Sequence, residues 1–204
     1  MKNKLIKLYD STLRDGAQTK GVNFSLTDKL KIYEILDDIG LDYIEGGWPG
    51  ANPTDDEFFK SIVKSKKNNL VAFGMMRKHG KSAQNDPNLN AVLNSGVSTV
   101  CLVGKTWDFH VKNALKISMN QNLDMIADSI MYSSSRLDEV MFDAEHFFDG
   151  YKNNREYALK SIKYAYENGA KWIVLCDTNG GTLPYELEEI IEDVKKVIPE
   201  ENLG

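Results

Sequence analysis

Apolar positions along this chain follow two alternating rhythms. Short, nearly continuous apolar runs read as strands at residues 5–8, 43–45, 70–74, 99–103, 139–143 and 172–176. Between them, apolar residues recur three and four apart, the period of an amphipathic helix. Helices are predicted at residues 27–39, 54–66, 88–94, 108–136 (in two pieces), 155–168 and 184–197. In the first of these, Leu30, Ile32, Tyr33, Ile35, Leu36 and Ile39 make the expected apolar face. Gly40, Gly96 and Gly169 share one grammar: a helix-ending glycine, two or three linking residues, then an apolar strand. That is the short αβ connection of a parallel sheet. Strands apolar at nearly every position are expected where both faces are covered. The pattern predicts six βα units in one α/β domain over residues 1–204.

Composition narrows the class. A length of 204 residues allows a sizeable core. The formal net charge of −5 argues against a partner held through phosphate contacts, so no nucleic acid is expected. No apolar run has bilayer length, and no signal-peptide pattern follows the basic Met1-Lys2-Asn3-Lys4 start, so no membrane partner is expected. Cys101 and Cys176 both lie in apolar runs and read as buried, reduced thiols. These features fit a cytoplasmic protein. Six strands leave two open edges, residues 5–8 and 172–176, and the second carries no charge. Either the edges pair between copies, giving a homo-oligomer, or other segments cover them.

Candidate chemistry concentrates where strands end. Tyr9-Asp10-Ser11-Thr12-Leu13-Arg14-Asp15-Gly16-Ala17-Gln18 follows the first strand. An Arg there offers fixed donors to a developing oxyanion, and an adjacent Asp can hold a divalent cation. The plain alternative is a loop ion pair. Glu45 ends the second strand before Gly46-Gly47, and a carboxylate there needs a partner. Asp143 and Glu145 are two apart and share one face of the fifth strand; His146 falls on the other. Asp177-Thr178-Asn179-Gly180-Gly181 follows the sixth strand, with Thr182 as expected N-cap and Pro184 in the first turn of the next helix. His110 lies in Lys105-Thr106-Trp107-Asp108-Phe109-His110, after the fourth strand.

Four of these stretches, in order, carry a resemblance: Asp10–Gln18, Ile44–Gly50, Phe142–Tyr151 and Leu175–Pro184. Together they resemble the metal-dependent TIM-barrel enzymes that include isopropylmalate and homocitrate synthases and hydroxymethylglutaryl-CoA lyase, and above all the citramalate synthase branch. The resemblance implies a TIM (β/α)8 barrel-like fold with about six of its eight βα units in this chain. It implies condensation of a 2-oxo acid, pyruvate, with acetyl-CoA, in isoleucine- or leucine-type biosynthesis. Isopropylmalate or homocitrate synthase chemistry, lyase cleavage, and a catalytically silent form of the fold are the alternatives. A divalent metal (Mg, Mn or Zn) is the implied cofactor, with acetyl-CoA as co-substrate. Residue by residue, Asp15 matches the metal ligand and Arg14 the charge-stabilising arginine. Glu45 and Glu145 match catalytic carboxylates, Glu145 as general-base candidate. Gln18 and Thr178 match the family's loop glutamine and keto-acid-binding threonine; apart from the resemblance, Asp143, on the same strand face as Glu145, and His110, within reach of a substrate, are further substrate-binding candidates. Two departures stand out. Met75-Met76 replaces small hydroxyl residues, and no His-x-His pair, the family's other metal ligands, occurs in the chain. Weak metal binding and an inactive isolated chain are therefore expected.

Overall fold

A computed structural model describes residues 6–62 and 69–204. It is an α/β structure whose strands follow the order β1-β2-β3-β4-β5-β6 in a parallel, TIM-barrel-like arrangement. The chain divides into two compact units, Met1–Gly74 with Ala91–Val100, and Met75–Asn90 with Cys101–Gly204.

In the first unit, β1 (Tyr9–Asp10) pairs in parallel with β2 (Tyr43–Gly47), which pairs with β3 (Leu70–Met75). The first strand thus begins later than its apolar run predicts. Leu5 lies outside the described residues, while Ile6 and Leu8 are exposed at 82% and 56%. α1 (Leu26–Ile39) starts at Ser25, whose hydroxyl accepts from the Asp28 N–H while Asp28 accepts from the Ser25 N–H. It ends at Gly40, whose φ of 85° is the left-handed closure that glycine takes without strain. Its apolar face is narrower than predicted. Ile35 and Ile39 are exposed, and Lys29 is buried instead, paired with Asp55 of α2 (Pro53–Ile62). Tyr33, Phe58 and Phe59 stack edge-on beside that pair, with ring centroids 5.5–6.0 Å apart. Burying each such ring stabilises by about 1.5–3 kcal/mol. The predicted extension of α2 to residue 66 falls outside the described residues.

β2 carries a bulge. Glu45 pairs with Val71 but Gly47 pairs with Ala72, so Gly46 is the extra residue. Both glycines are required. A Cβ on Gly46 would meet Phe58 at 2.5 Å, and one on Gly47, at φ 148°, would meet the Asp55 carboxylate at 2.6 Å.

The second unit holds most of β4 (Thr99–Lys105), and β5 (Glu139–Glu145) and β6 (Trp172–Leu175). Preceding β4 in the chain is α3 (Pro87–Leu93). The long helical region is indeed in pieces. α4 (Asp108–His110) runs into a π-helical turn, Val111–Leu115, broken by Lys116 at φ 57°. α5 (Met119–Ser134) then restarts on a Ser118–Gln121 capping box. α6 (Phe147–Asn153) is an element the pattern did not predict, and α7 (Arg155–Glu167) follows at once. α5 and α7 bury Leu123, Ile126 and Ile130 on one side and Tyr157, Ala158 and Ile162 on the other. α8 (Pro184–Val194) is capped by Leu183 rather than Thr182, whose N–H and hydroxyl both bond the Asp177 carboxylate. The apolar edge of β6 is covered at its middle: Leu203 bridges Ile173 in parallel, and Leu175 and Gly204 donate to Gly204 and Ile173 carbonyls at 2.9 Å.

Candidate active site

The candidate side chains sit where strands give way to loops, in two sets. In the first unit, the turn after β1 folds on its own polar groups. The Asp10 carboxylate accepts from the Thr12 N–H at 2.9 Å and its hydroxyl at 3.0 Å, and the Ser11 carbonyl accepts from Arg14, Asp15 and Gly16. Asp10 and Thr12 therefore shape the turn that aims Arg14. The Arg14 Nε donates to Glu45 Oε2 at 2.6 Å, and its guanidinium lies 3.9 Å from the Phe73 ring centroid. Glu45 is 1% exposed, and the Tyr9 hydroxyl donates to its other oxygen at 2.8 Å. A carboxylate this deep persists as a charge only with a cation and hydrogen bonds around it. Arg14 also reaches Asp15 Oδ1 at 3.2 Å, but the Asp15 side chain is 63% exposed. Gln18 ends the short helical turn Gly16–Gln18 and is exposed.

In the second unit, Asp143 and Glu145 do share a face of β5, with different partners. The Cys176 thiol approaches Asp143 Oδ1 at 3.2 Å. Glu145 pairs with Lys105, the last residue of β4, and its carbonyl accepts from the Thr106 hydroxyl at 2.8 Å. His110 and His146 meet edge-on, ring centroids 4.6 Å apart, and Trp107 lies 4.8 and 5.7 Å from them. Desolvation, then the His146 and Lys105 charges, lower the His110 pKa, against the opposing pull of Glu145 and Asp149. Thr178 is exposed, and its hydroxyl accepts from the His146 N–H at 2.9 Å. Arg77 forms an ion pair with Asp128 of α5.

The structure thus joins Arg14, Glu45 and Asp15 in one unit, and in the other brings Glu145, His110 and Thr178 around His146. The strand alternation behind the reading of His146 as facing away from Glu145 does not extend to this residue. At φ 53° it has left the extended conformation, so strand alternation no longer applies to it. Three participants had no such signal in the pattern. Tyr9 and Lys105 contact carboxylates 36 and 40 residues away. Asp149 becomes visible only once a helix is placed after His146.

Does this donor set fit a metal? Asp15 is accessible and anionic, which suits one ligand to a hard cation. Among the described residues no group of three or more His, Cys, Asp or Glu side chains could hold one. The described residues do not by themselves fit a bound metal. No described helix is long and apolar enough to cross a membrane.

Comparison with known proteins adds the following. The HMGL-like family profile matches residues 5–203. The chain is 50% identical to the (R)-citramalate synthase of Aquifex aeolicus over 201 residues, 98% of this chain and 38% of that protein. It is 53% identical to that of Sulfolobus acidocaldarius over 196 residues, 95% of this chain and again 38% of that protein. The chain therefore spans about two fifths of the length of these relatives. Among solved structures, hydroxymethylglutaryl-CoA lyase from Pseudomonas aeruginosa superposes with a TM-score of 0.78 at 20% identity, covering 98% of this chain and 67% of that one.

Proposed function

The chain belongs to the HMGL-like family, and from that premise we propose that it serves a C–C bond-forming acyltransferase of the citramalate synthase type. The substrates are pyruvate and acetyl-CoA, the product is citramalate, and the setting is isoleucine- or leucine-type amino-acid biosynthesis. The names of the relatives at about 50% identity support this reading. The observation that carries it is Arg14, half-buried against Phe73 and fixed by Glu45 in the turn after β1.

A condensation of this type needs charge stabilised on oxygen twice. A proton leaves the acetyl methyl carbon, and negative charge moves to the thioester oxygen. The enolate carbon then attacks the keto carbon, and charge moves to the keto oxygen; water afterwards cleaves the C–S bond of the resulting thioester, giving the citramalate carboxylate and free CoA thiol. A guanidinium already oriented by a buried carboxylate stabilises such charge without reorganising at the moment of reaction. Glu45 and Tyr9 are positioning residues that hold it. Thr178, at the mouth of β6, is assigned to the 2-oxo acid carboxylate, with Asp143, His110 and Gln18 as further binding positions. Glu145, paired with Lys105, is retained as an active carboxylate. Enzymes of this family use a divalent metal and acetyl-CoA in general; Asp15 is the residue here suited to contribute to the metal.

The test joins residues 1–204 to the remaining length of the Aquifex aeolicus relative and follows free thiol released from acetyl-CoA. Release that depends on pyruvate, at a turnover on the order of 10 per second, is expected from the fusion and not from residues 1–204 alone. Arg14→Lys should lower it, because a lysine cannot reproduce the oriented fork. A fusion that works only with a bulkier 2-oxo acid would overturn the substrate assignment.

A further inference from the structure

One side chain of the second unit is built as a base and carries no role so far. His146 closes β5 with φ 53° and ψ 37°, a left-handed backbone that is strained for a residue with a Cβ. Strain of this kind persists only where the surroundings impose it. Here the His146 N–H donates to Thr178 Oγ1 at 2.9 Å, its carbonyl accepts from Gly150 at 2.9 Å, and the Phe147 N–H donates to the Cys176 carbonyl at 3.2 Å. α6 cannot back away or shift sideways freely, since a Cβ on Gly150 would meet the Thr106 carbonyl at 2.7 Å.

What the strained residue delivers is an oriented ring. His146 Nδ1 lies 3.0 Å from Asp149 Oδ2, one helical turn ahead. Asn179 Nδ2 donates to the same oxygen, also at 3.0 Å. An ionised carboxylate only accepts hydrogen bonds, so Nδ1 carries the hydrogen, and Nε2 of the neutral ring keeps its lone pair. The groups around this ring are Asp149 from α6, Glu145 from the end of β5, and Lys105 and His110 from β4 and α4. Glu145 is already engaged by Lys105. Burial first, then the His146 and Lys105 charges, lower the His110 pKa, against the opposing pull of Glu145 and Asp149. The two imidazoles meet edge-on with centroids 4.6 Å apart, close enough for a charge on His146 to weigh against one on His110.

We propose that His146, its tautomer fixed by Asp149, is the proton-transfer group of the condensation, an assignment that rests on the function proposed above. The methyl C–H bond of acetyl-CoA breaks, its electron pair forms the enolate, and the proton goes to Nε2. The enolate carbon then bonds to the keto carbon of pyruvate, whose carbonyl π pair moves to oxygen. The alkoxide takes the proton back from Nε2. A neutral imidazole accepts a proton at its Nε2 lone pair and can return it from the same atom, as two-way transfer requires.

Nitrogen-15 NMR of the imidazoles in the 204-residue chain at pH 7.5 tests the geometry without any turnover. The neutral His146 ring should show hydrogen on Nδ1 and none on Nε2, and Asp149→Asn should convert it to a tautomer mixture. Hydrogen on Nε2 in the unmodified chain, or no change in D149N, would overturn the assignment. In the active fusion, His146→Asn keeps a side chain that tolerates the left-handed backbone. It should lower kcat by about 10²- to 10⁴-fold and leave KM little changed. An H146N fusion with undiminished kcat would also overturn the assignment. An inactive parent fusion would count against the condensation alone, and the tautomer measurement would still decide the state of His146.

Discussion

At the scale of single residues, the Arg14–Glu45 pair has little freedom to move. One partner is 1% exposed, the other stacks on a ring, and the Tyr9 hydroxyl occupies the remaining carboxylate oxygen. Removing the anion strands a cation, and removing the cation strands a buried anion, so either loss is costly. Glu45→Ala should therefore destabilise the chain by about 3–5 kcal/mol, read as a lower urea midpoint. An unchanged midpoint would mean the pair is far better solvated than its burial shows. His110 gives a pH signature. Its folded pKa is lowered from the ordinary 6.5, so the unfolded chain takes up this proton at a higher pH than the folded one. The stability that follows is present above 6.5 and is lost as pH falls through the folded value. Urea midpoints of the unmodified chain minus those of His110→Gln should shrink between pH 7.5 and 5. A difference that grows on acidification would contradict the lowered pKa.

At the scale of elements, the ends of helices decide most of the architecture. Ser25 and Asp28 satisfy two N-terminal groups of α1 reciprocally, and Ser25→Ala should cost about 1 kcal/mol in thermal or urea unfolding. Gly47→Ala should cost more, about 2–4 kcal/mol, because it adds both left-side backbone strain and a clash with Asp55. These sites also explain what was legible in the chain. Ser25-x-x-Asp28 and Gly40 are local signals, and α1 matched its prediction to within a residue. Arg14, Asp15 and Glu45 lie in short motifs beside strands and could be singled out directly. α6 was missed because the residue that turns the chain into it is His146, where a glycine would have announced the turn. Lys29 was passed over because a charge at a helical core position looks exposed until its partner, Asp55, is seen across from it. The Lys105–Glu145 pair was invisible for the same reason: sequence proximity says nothing about contacts 40 residues apart.

At the scale of the whole molecule, two expectations can be measured directly. Leu203 and Gly204 pair with β6 and cover an otherwise uncharged edge. Deleting residues 199–204 should bare it, and light scattering at several concentrations should then show association rising with dose. A shortened chain that stays as monodisperse as the parent would show that the edge needs no cover. Divalent cations should bind weakly, since among the described residues no group of three or more His, Cys, Asp or Glu side chains could hold one. Calorimetry with Mn²⁺ should give no saturable heat in the micromolar range, and micromolar binding abolished by Asp15→Asn would overturn this. The buried Lys29 also has a use outside catalysis. Its ammonium, 3% exposed and paired with Asp55, cannot meet an acylating reagent while α1 and α2 remain packed. Exposed lysines such as Lys20 and Lys31 would acquire label within seconds to minutes, and Lys29 only when the first unit opens. Its labelling rate, followed by mass spectrometry, would therefore serve as an internal clock for that opening, written into one covalent mark per event.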